Sequence, residues 1–251
     1  NNPDESWKLF IARQKDLDKD KQGAEKLRAQ AKGLLGPLEA QAAADAAVAV
    51  MLGVAYLGTN ESAVAEGWFR KAIAAKPSDA EANLQLGLAL HAQRKNDAAI
   101  IALKHAMDLD ETREEIGLQL GVLYEELERD QDALEVYRKL LEARTPSINV
   151  RARAGRYYAR TGEVALAAAQ GKVIAAEQPT HPAGLFLQGE AAYNAQRFED
   201  AVRFYQQAVE ADPNAQYLDG LGRAHEAIGR SGDTNHKDQA IDAYARATAL
   251  S

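Results

Sequence analysis

The chain has 251 residues, of which 46% are hydrophobic and only 6% aromatic; its formal charge is −7 and it contains no cysteine. Such a chain can bury a sizeable core of Ala, Leu, Val and Ile, a mixture that favours helix over strand. The composition excludes disulfides and thiolate metal sites, and the acidic balance argues against a nucleic-acid backbone as partner.

Residues 1–45 stand apart from the rest of the chain. Asp4 and Ser6 are helix starters, and Trp7, Phe10, Ile11, Gln14 and Leu17 follow one helical face. Lys15 to Lys21 alternates in sign and reads as a solvated segment. Leu27, Ala31 and Leu34 resume the helical spacing until Gly36-Pro37 breaks it. Two readings fit 1–45: a helical cap, or a degenerate repeat over about 5–38 with Ala24, Ala31 and Pro37 as its remnants. Residues 1–20 are highly charged and carry no secretory pattern. The chain does not begin with Met, so any signal or anchor would lie outside it, and a cytoplasmic or periplasmic location stays open. The most apolar run, 42–58, is interrupted by Asp45 and is too short to span a bilayer.

From Ala46 a landmark recurs: a small apolar residue, then glycine, then an aromatic or apolar residue three places on. It reads Leu52-Gly53…Tyr56, Leu86-Gly87…Leu90, Leu120-Gly121…Tyr124 and Ala154-Gly155…Tyr158, and more loosely Gln188-Gly189 and Leu221-Gly222. The glycines from Gly53 to Gly189 are spaced by 34 residues, and Gly222 follows after 33. A fixed period of this length marks stacked supersecondary units, here beginning near 46, 80, 114, 148, 182 and 215.

The units carry more than glycine. The first has Gly53, Tyr56, Ala65, Phe69, Ala72 and Pro77, and the second Gly87, Leu90, Ala99, Leu103 and Ala106. The third has Gly121, Tyr124, Ala133, Tyr137 and Leu140 with Pro146, and the fourth Gly155, Tyr158, Ala167 and Pro179. The fifth has Gly189, Ala201, Tyr205, Ala208 and Pro213, and the sixth Gly222, Ala240, Tyr244 and Ala247. In this pattern residues 46–251 resemble the tetratricopeptide repeat family, whose unit is two antiparallel helices. The resemblance implies an all-α, right-handed superhelical solenoid of about six units. Gly53 and Ala65 are then small where helices cross closely, Tyr56 and Phe69 fill the remaining space, and Pro77 stops the second helix.

Two departures stand out. The fourth unit has Gly171 where the others carry Phe69, Leu103, Tyr137, Tyr205 and Tyr244. A mid-helix glycine costs about 1 kcal/mol against alanine. Leu140 and Ile174 also replace a small alanine, which predicts a local change of curvature. The second departure is Gly229 to Lys237, whose glycine and polar content predict an exposed, mobile insertion.

Nothing in the chain has the spacing of a phosphate loop, a nucleophile elbow or a zinc-binding histidine pair. His91, His105, His181, His225 and His236 read as scattered over different helices and loops. The expectation is a protein without catalytic residues, metal or cofactor.

The resemblance places the first helix of each unit on a concave, partner-binding surface. Carried over unit by unit, the groove positions are Val50, Val54 and Leu57, then Leu84, Leu88 and His91, then Leu118, Val122 and Glu125. Their i, i+4, i+7 spacing makes one stripe per helix. The three stripes form a nearly continuous aliphatic strip, which calls for something to cover it. The fourth unit offers Arg153, Arg156 and Arg160, and the fifth Phe186, Glu190, Tyr193 and Asn194. Three arginines suit a carboxylate-rich segment. The alternative is internal pairing with Glu115, Glu125 and Glu190. The lysine and asparagine of the family's chaperone-tail clamp are missing, since Val50 and Val54, Leu84 and Leu88, or Leu118 and Val122 stand there.

The function expected is therefore a non-catalytic scaffold that binds a peptide or amphipathic helix of a partner, apolar with acidic residues. Three alternatives remain open. The N-terminal face of Trp7, Phe10, Ile11 and Leu17 fills the groove, in its own molecule or in a neighbour. The array assembles end to end through its last unit. Or it is the repeat domain of a larger enzyme.

Overall fold

The computed structural model describes residues 39, 42, 45–230 and 233–250. The readings of Trp7, Phe10, Ile11 and Leu17, and of a cap or degenerate repeat before residue 38, lie outside the described residues. The described residues form an all-α array of helix pairs. The first helices are α1 (Ala46–Gly58), α3 (Ala80–Ala92), α5 (Glu114–Glu126), α7 (Ile148–Arg160), α9 (Pro182–Asn194) and α11 (Ala215–Gly229). The second helices are α2 (Ser62–Ala75), α4 (Asn96–Leu109), α6 (Asp130–Leu141), α8 (Val164–Glu177), α10 (Phe198–Ala211) and α12 (Thr234–Ala249).

Local chemistry sets these boundaries. Asp45, Asp79, Ser147 and Asn214 each accept a backbone N–H from the first turn of the helix they precede, and Pro182 opens α9 with φ already helical. Inside each of the first five pairs a backbone hydrogen bond closes the turn. The N–H groups of Glu61, Lys95, Arg129, Glu163 and Arg197 reach back to the carbonyls of Tyr56, Leu90, Tyr124, Tyr158 and Ala192 at 2.8–3.0 Å. This closure requires the residue just before each donor to be left-handed, and Asn60, Arg94, Glu128, Gly162 and Gln196 all have φ between 54° and 84°. Only one of the five is glycine. Gln196→Gly should raise stability by about 0.5–1 kcal/mol, the side-chain strain relieved less the backbone freedom added to the unfolded chain. A thermal melt checks it, with Gly162→Ala expected to lower the midpoint.

The sixth pair departs from this scheme. Its first helix runs two residues longer, to a buried Gly229, and Asp233 caps α12 by accepting the N–H groups of Asn235 and His236. Of the exposed, mobile insertion expected over Gly229–Lys237, residues 231 and 232 lie outside the described residues, and Asp233 to Asn235 and Lys237 are exposed as expected, but the segment is not a loop throughout. Thr234 to Lys237 form the opening turn of α12, because an aspartate capping residue was available to start it.

The chain divides into two compact units between Ala133 and Leu134, within α6. In both, alanine is buried at one position of every second helix, at Ala65, Ala99 and Ala133 in the first unit and at Ala167, Ala201 and Ala240 in the second. In the first unit Gly53 lies against the Phe69 ring and Gly87 against Leu103. In the second, Gly189 lies against Tyr205 and Gly222 against Tyr244; a Cβ on either would sit 2.6 Å from the ring.

The fourth repeat solves the same packing problem by exchange. No aromatic is available at Gly171, and Leu187 of the following helix enters instead. A Cβ on Gly171 would lie 2.7 Å from Leu187 Cβ, and one on Gly155 would lie 2.5 Å from Leu187 Cδ1. Conversely, the oversized Ile174 on α8 is received by Gly184 on α9, where a Cβ would lie 2.8 Å from Ile174 Cγ2. Each departure from the repeat pattern on α8 is matched by a change of size on α9.

Candidate partner-binding surfaces

In the first unit, Val50, Val54, Leu57, Leu88, Leu118 and Val122 are half-buried at equivalent positions of α1, α3 and α5. Leu84 is a correction. The opening turn of α3 is enclosed, with Ala82, Asn83 and Leu84 all buried, so Leu84 packs between helices and lines no open surface. Among the described residues of this unit, the openly exposed large apolar side chains are Met51, Val64 and Ile101. His91 is held in place, Nδ1 at 3.2 Å from Asn96 Oδ1 and Nε2 at 3.0 Å from Glu126 Oε2.

In the second unit, the α7 arginines meet tyrosines. Arg153 Nε donates to the Tyr137 hydroxyl at 3.3 Å. The Arg160 guanidinium lies 4.9 Å from the centre of the Tyr157 ring. Burial pushes the Tyr217 phenol up, and the adjacent Arg156, hydrogen-bonded to it, partly offsets that. Arg151 Nη1 donates to Gln170 at 3.2 Å. Within the first unit Glu115 pairs with Arg113, and within the second Glu190 pairs with Arg223.

Phe186 and Glu190 are further corrections as groove residues. Phe186 is buried between the Tyr205 and Tyr217 rings, with centroids at 5.7 and 5.1 Å, because α9 is packed on both sides. Glu190 is also buried, and its Oε1 accepts from the Tyr205 hydroxyl and from Arg223 Nη2, both at 2.6 Å. Arg223 Nε donates to Asp219 at 3.0 Å, and the guanidinium lies 5.1 Å from the centre of the Tyr193 ring. Burial and the Glu190 carboxylate together raise the Tyr205 phenol far above its ordinary range. This Glu190–Tyr205–Arg223 knot ties α9, α10 and α11 together. Tyr193 remains half-buried and Asn194 exposed.

Two features were missed from sequence. Arg223 lies 33 residues from Glu190, the spacing of Gly189 and Gly222, so the two occupy equivalent positions on successive first helices; that spacing was the available signal. His225 stands three places after Gly222, where other repeats carry Tyr56, Leu90, Tyr124 or Tyr158. It meets His236, Nδ1 to Nδ1, at 2.8 Å. The reading of five scattered histidines is corrected for this pair, because the longer α11 and the cap at Asp233 return the chain so that the two rings face each other. His225 also floors a cleft of about 500 Å³ walled by Val209 and Glu210 of α10 and by Asp238, Asp242 and Arg246 of α12. Among the described residues, no group of three or more His, Cys, Asp or Glu could hold a metal ion, and no helix is long and apolar enough to cross a membrane.

Sequence profiles of the tetratricopeptide repeat match residues 50–112, 118–147 and 182–215. No curated protein matches the chain in sequence. Among solved structures, the C-terminal part of a tetratricopeptide-repeat protein from Cytophaga hutchinsonii is similar over 96% of this chain and 95% of its own, at 19% identity and TM-score 0.65. PilW, described as a widely conserved type IV pilus biogenesis factor, is similar over 81% of this chain and 92% of its own, at 20% identity and TM-score 0.62. YrrB, described as having an unusual peptide-binding site, is similar over 75% of this chain and 93% of its own, at 18% identity and TM-score 0.55. At these identities the likeness is one of fold.

Proposed function

Since the chain belongs to the tetratricopeptide repeat family, we propose that it is a non-catalytic scaffold whose first helices present a peptide or amphipathic helix of another protein with two chemically different surfaces. The first unit offers an aliphatic floor of Val50, Val54, Leu88, Leu118 and Val122. The second offers Arg153, Arg156 and Arg160, with Tyr193 and Asn194 as polar contacts. The observation that carries the reading is the half-buried aliphatic residue at one equivalent position in three successive first helices, Val54, Leu88 and Val122. Such positions are covered enough to be rigid and open enough to gain from further burial, at about 25 cal/mol per Å². That YrrB has a peptide-binding site supports the reading by analogy of fold.

In an affinity capture compared by quantitative mass spectrometry, Val54→Glu/Leu88→Glu/Val122→Glu should lose a partner that wild type retains, with purified-partner affinity at least about tenfold weaker. Arg153→Glu/Arg156→Glu/Arg160→Glu should weaken the same partner in a salt-dependent way. If both triple variants fold and keep every partner, the surfaces proposed are the wrong ones. A second reading, self-association through the last pair, is favoured by one residue: Ile241 is 66% exposed on α12, whereas Ile100 at the same repeat position of α4 is 6% exposed beneath the next repeat. Sedimentation of wild type against Ile241→Asp separates the two readings, because only self-association makes the mass concentration-dependent and sensitive to that change.

A further inference from the structure

The sixth repeat differs from the others at one contact. Three places after the landmark glycine stands a phenol, leucine or alanine in the first five repeats and an imidazole in the sixth. The His225 ring, 7% exposed, lies with its centroid 5.0 Å from that of His236, the planes inclined at 34° and the two Nδ1 atoms 2.8 Å apart. A hydrogen bond of that length needs one nitrogen with its proton and one with its lone pair. Two neutral rings satisfy it, and so does one neutral ring facing one imidazolium. Two imidazolium rings do not, because two N–H groups and two positive charges would then face each other, one of them on the buried His225.

We propose that this imidazole pair is a proton-operated clasp, which holds α12 on α11 while the two rings share at most one charge and lets α12 loosen once both are protonated.

A carboxylate stands beside one ring of the pair and not the other: Asp233 Oδ2 lies 4.0 Å from His236 Nε2. Other charged groups near the pair are occupied or turned to water. On α12, Arg246 Nη1 pairs with Asp242 at 3.4 Å, and Asp238 is exposed on the wall of the cleft. Glu210 stands exposed on the α10 side, and Lys237 packs against Gly229. On α11, Glu226 accepts from Tyr244 and from Arg230. None of these lies within ion-pair distance of His225, which therefore has no carboxylate to neutralise a second charge. Burial, with the neighbouring His236 ring, holds His225 below the usual histidine range.

The direction of the pH effect follows from linkage. A histidine whose folded-state pKa is lowered contributes stability in full above its unfolded value, near 6.5, and that contribution drains away as the pH falls below it. The loss is local, because α12 buries only three small side chains, Ala240, Ala243 and Ala247.

The test is amide hydrogen exchange on the full chain at pH 7.5 and pH 5.0, corrected for the intrinsic rate. Protection over 234–249 should fall by about tenfold or more at the lower pH, while protection in α9 and α10 changes little. In His225→Phe/His236→Leu the pH dependence over 234–249 should vanish. Should that variant fail to fold, the imidazole resonances of wild type decide: the pair should titrate in two coupled steps, one below the ordinary range. Two independent titrations near 6.5, or equal protection of α12 at both pH values, would overturn the clasp. So would a thermal midpoint at pH 7.5 that rises with added zinc in wild type but not in the double variant, since the pair would then be a metal clamp.

Discussion

Arg223→Met should destabilise the second unit by roughly 3 kcal/mol, at the low end of what breaking a buried ion pair costs, because the arginine is itself about one-third open to water. The loss arises at Glu190. With Arg223 gone, a carboxylate only 8% exposed keeps a single hydroxyl donor and no counter-charge. Removing the pair together should be far milder: Glu190→Leu/Arg223→Met leaves no buried charge, and Tyr205 then loses one acceptor, at about 1 kcal/mol. Denaturant unfolding of the two single variants and the double variant closes the cycle. If the double variant is as unstable as either single one, the knot is held by packing and its charges are incidental.

Gly171→Tyr, which would give the fourth repeat the aromatic that the fifth and sixth carry, should cost more than about 3 kcal/mol or prevent a unique fold, because overpacking into a filled site is destabilising in itself. The space is already taken by Leu187, whose Cβ lies 2.7 Å and whose carbonyl carbon lies 3.4 Å from a Cβ on Gly171. Neither atom can swing aside by a rotamer change. Even Gly171→Ala should lose stability, although helix propensity alone would reward it by about 1 kcal/mol. Gly67 on α2 supplies the control: a Cβ there meets nothing within 4 Å, so Gly67→Ala should show the propensity gain undiminished. Thermal melts of the three variants separate packing from propensity, and a stabilised Gly171→Ala would mean that α8 and α9 are not in the close contact described.

Much of the fold was legible because one period governs it. The landmark glycines, the buried alanines from Ala65 to Ala240 and the helix-breaking prolines all speak to the same 34-residue unit, and each has a steric reason. The candidate surfaces were legible only in part. Helical periodicity identifies which residues share a stripe, but not how deeply a neighbouring helix covers it. Leu84 and Leu88 are one turn apart on α3, yet one is enclosed and the other half-open. Phe186 and Glu190 share a stripe with Tyr193 in the same way, and both are interior. Arg223 and the His225–His236 contact depend on where side chains from different repeats converge, which a pattern read one repeat at a time does not reveal. The left-handed residues illustrate the opposite limit. Arg94, Glu128 and Gln196 carry no sequence mark of an unusual backbone, because the closing hydrogen bonds impose it on whatever residue stands there.

The exchange between α8 and α9 bears on how such a chain could change its length. Arrays of like units grow and shrink by duplication or loss of whole units, provided that any unit can follow any other. Across the fourth and fifth repeats that freedom is gone. Ile174 needs a glycine opposite, and Leu187 needs the hollow that Gly155 and Gly171 leave. A copy of the fourth repeat placed before any other unit would present a knob without a socket and a socket without a knob. The two must be inherited as one block of twice the usual length, with insertions or deletions confined to its flanks.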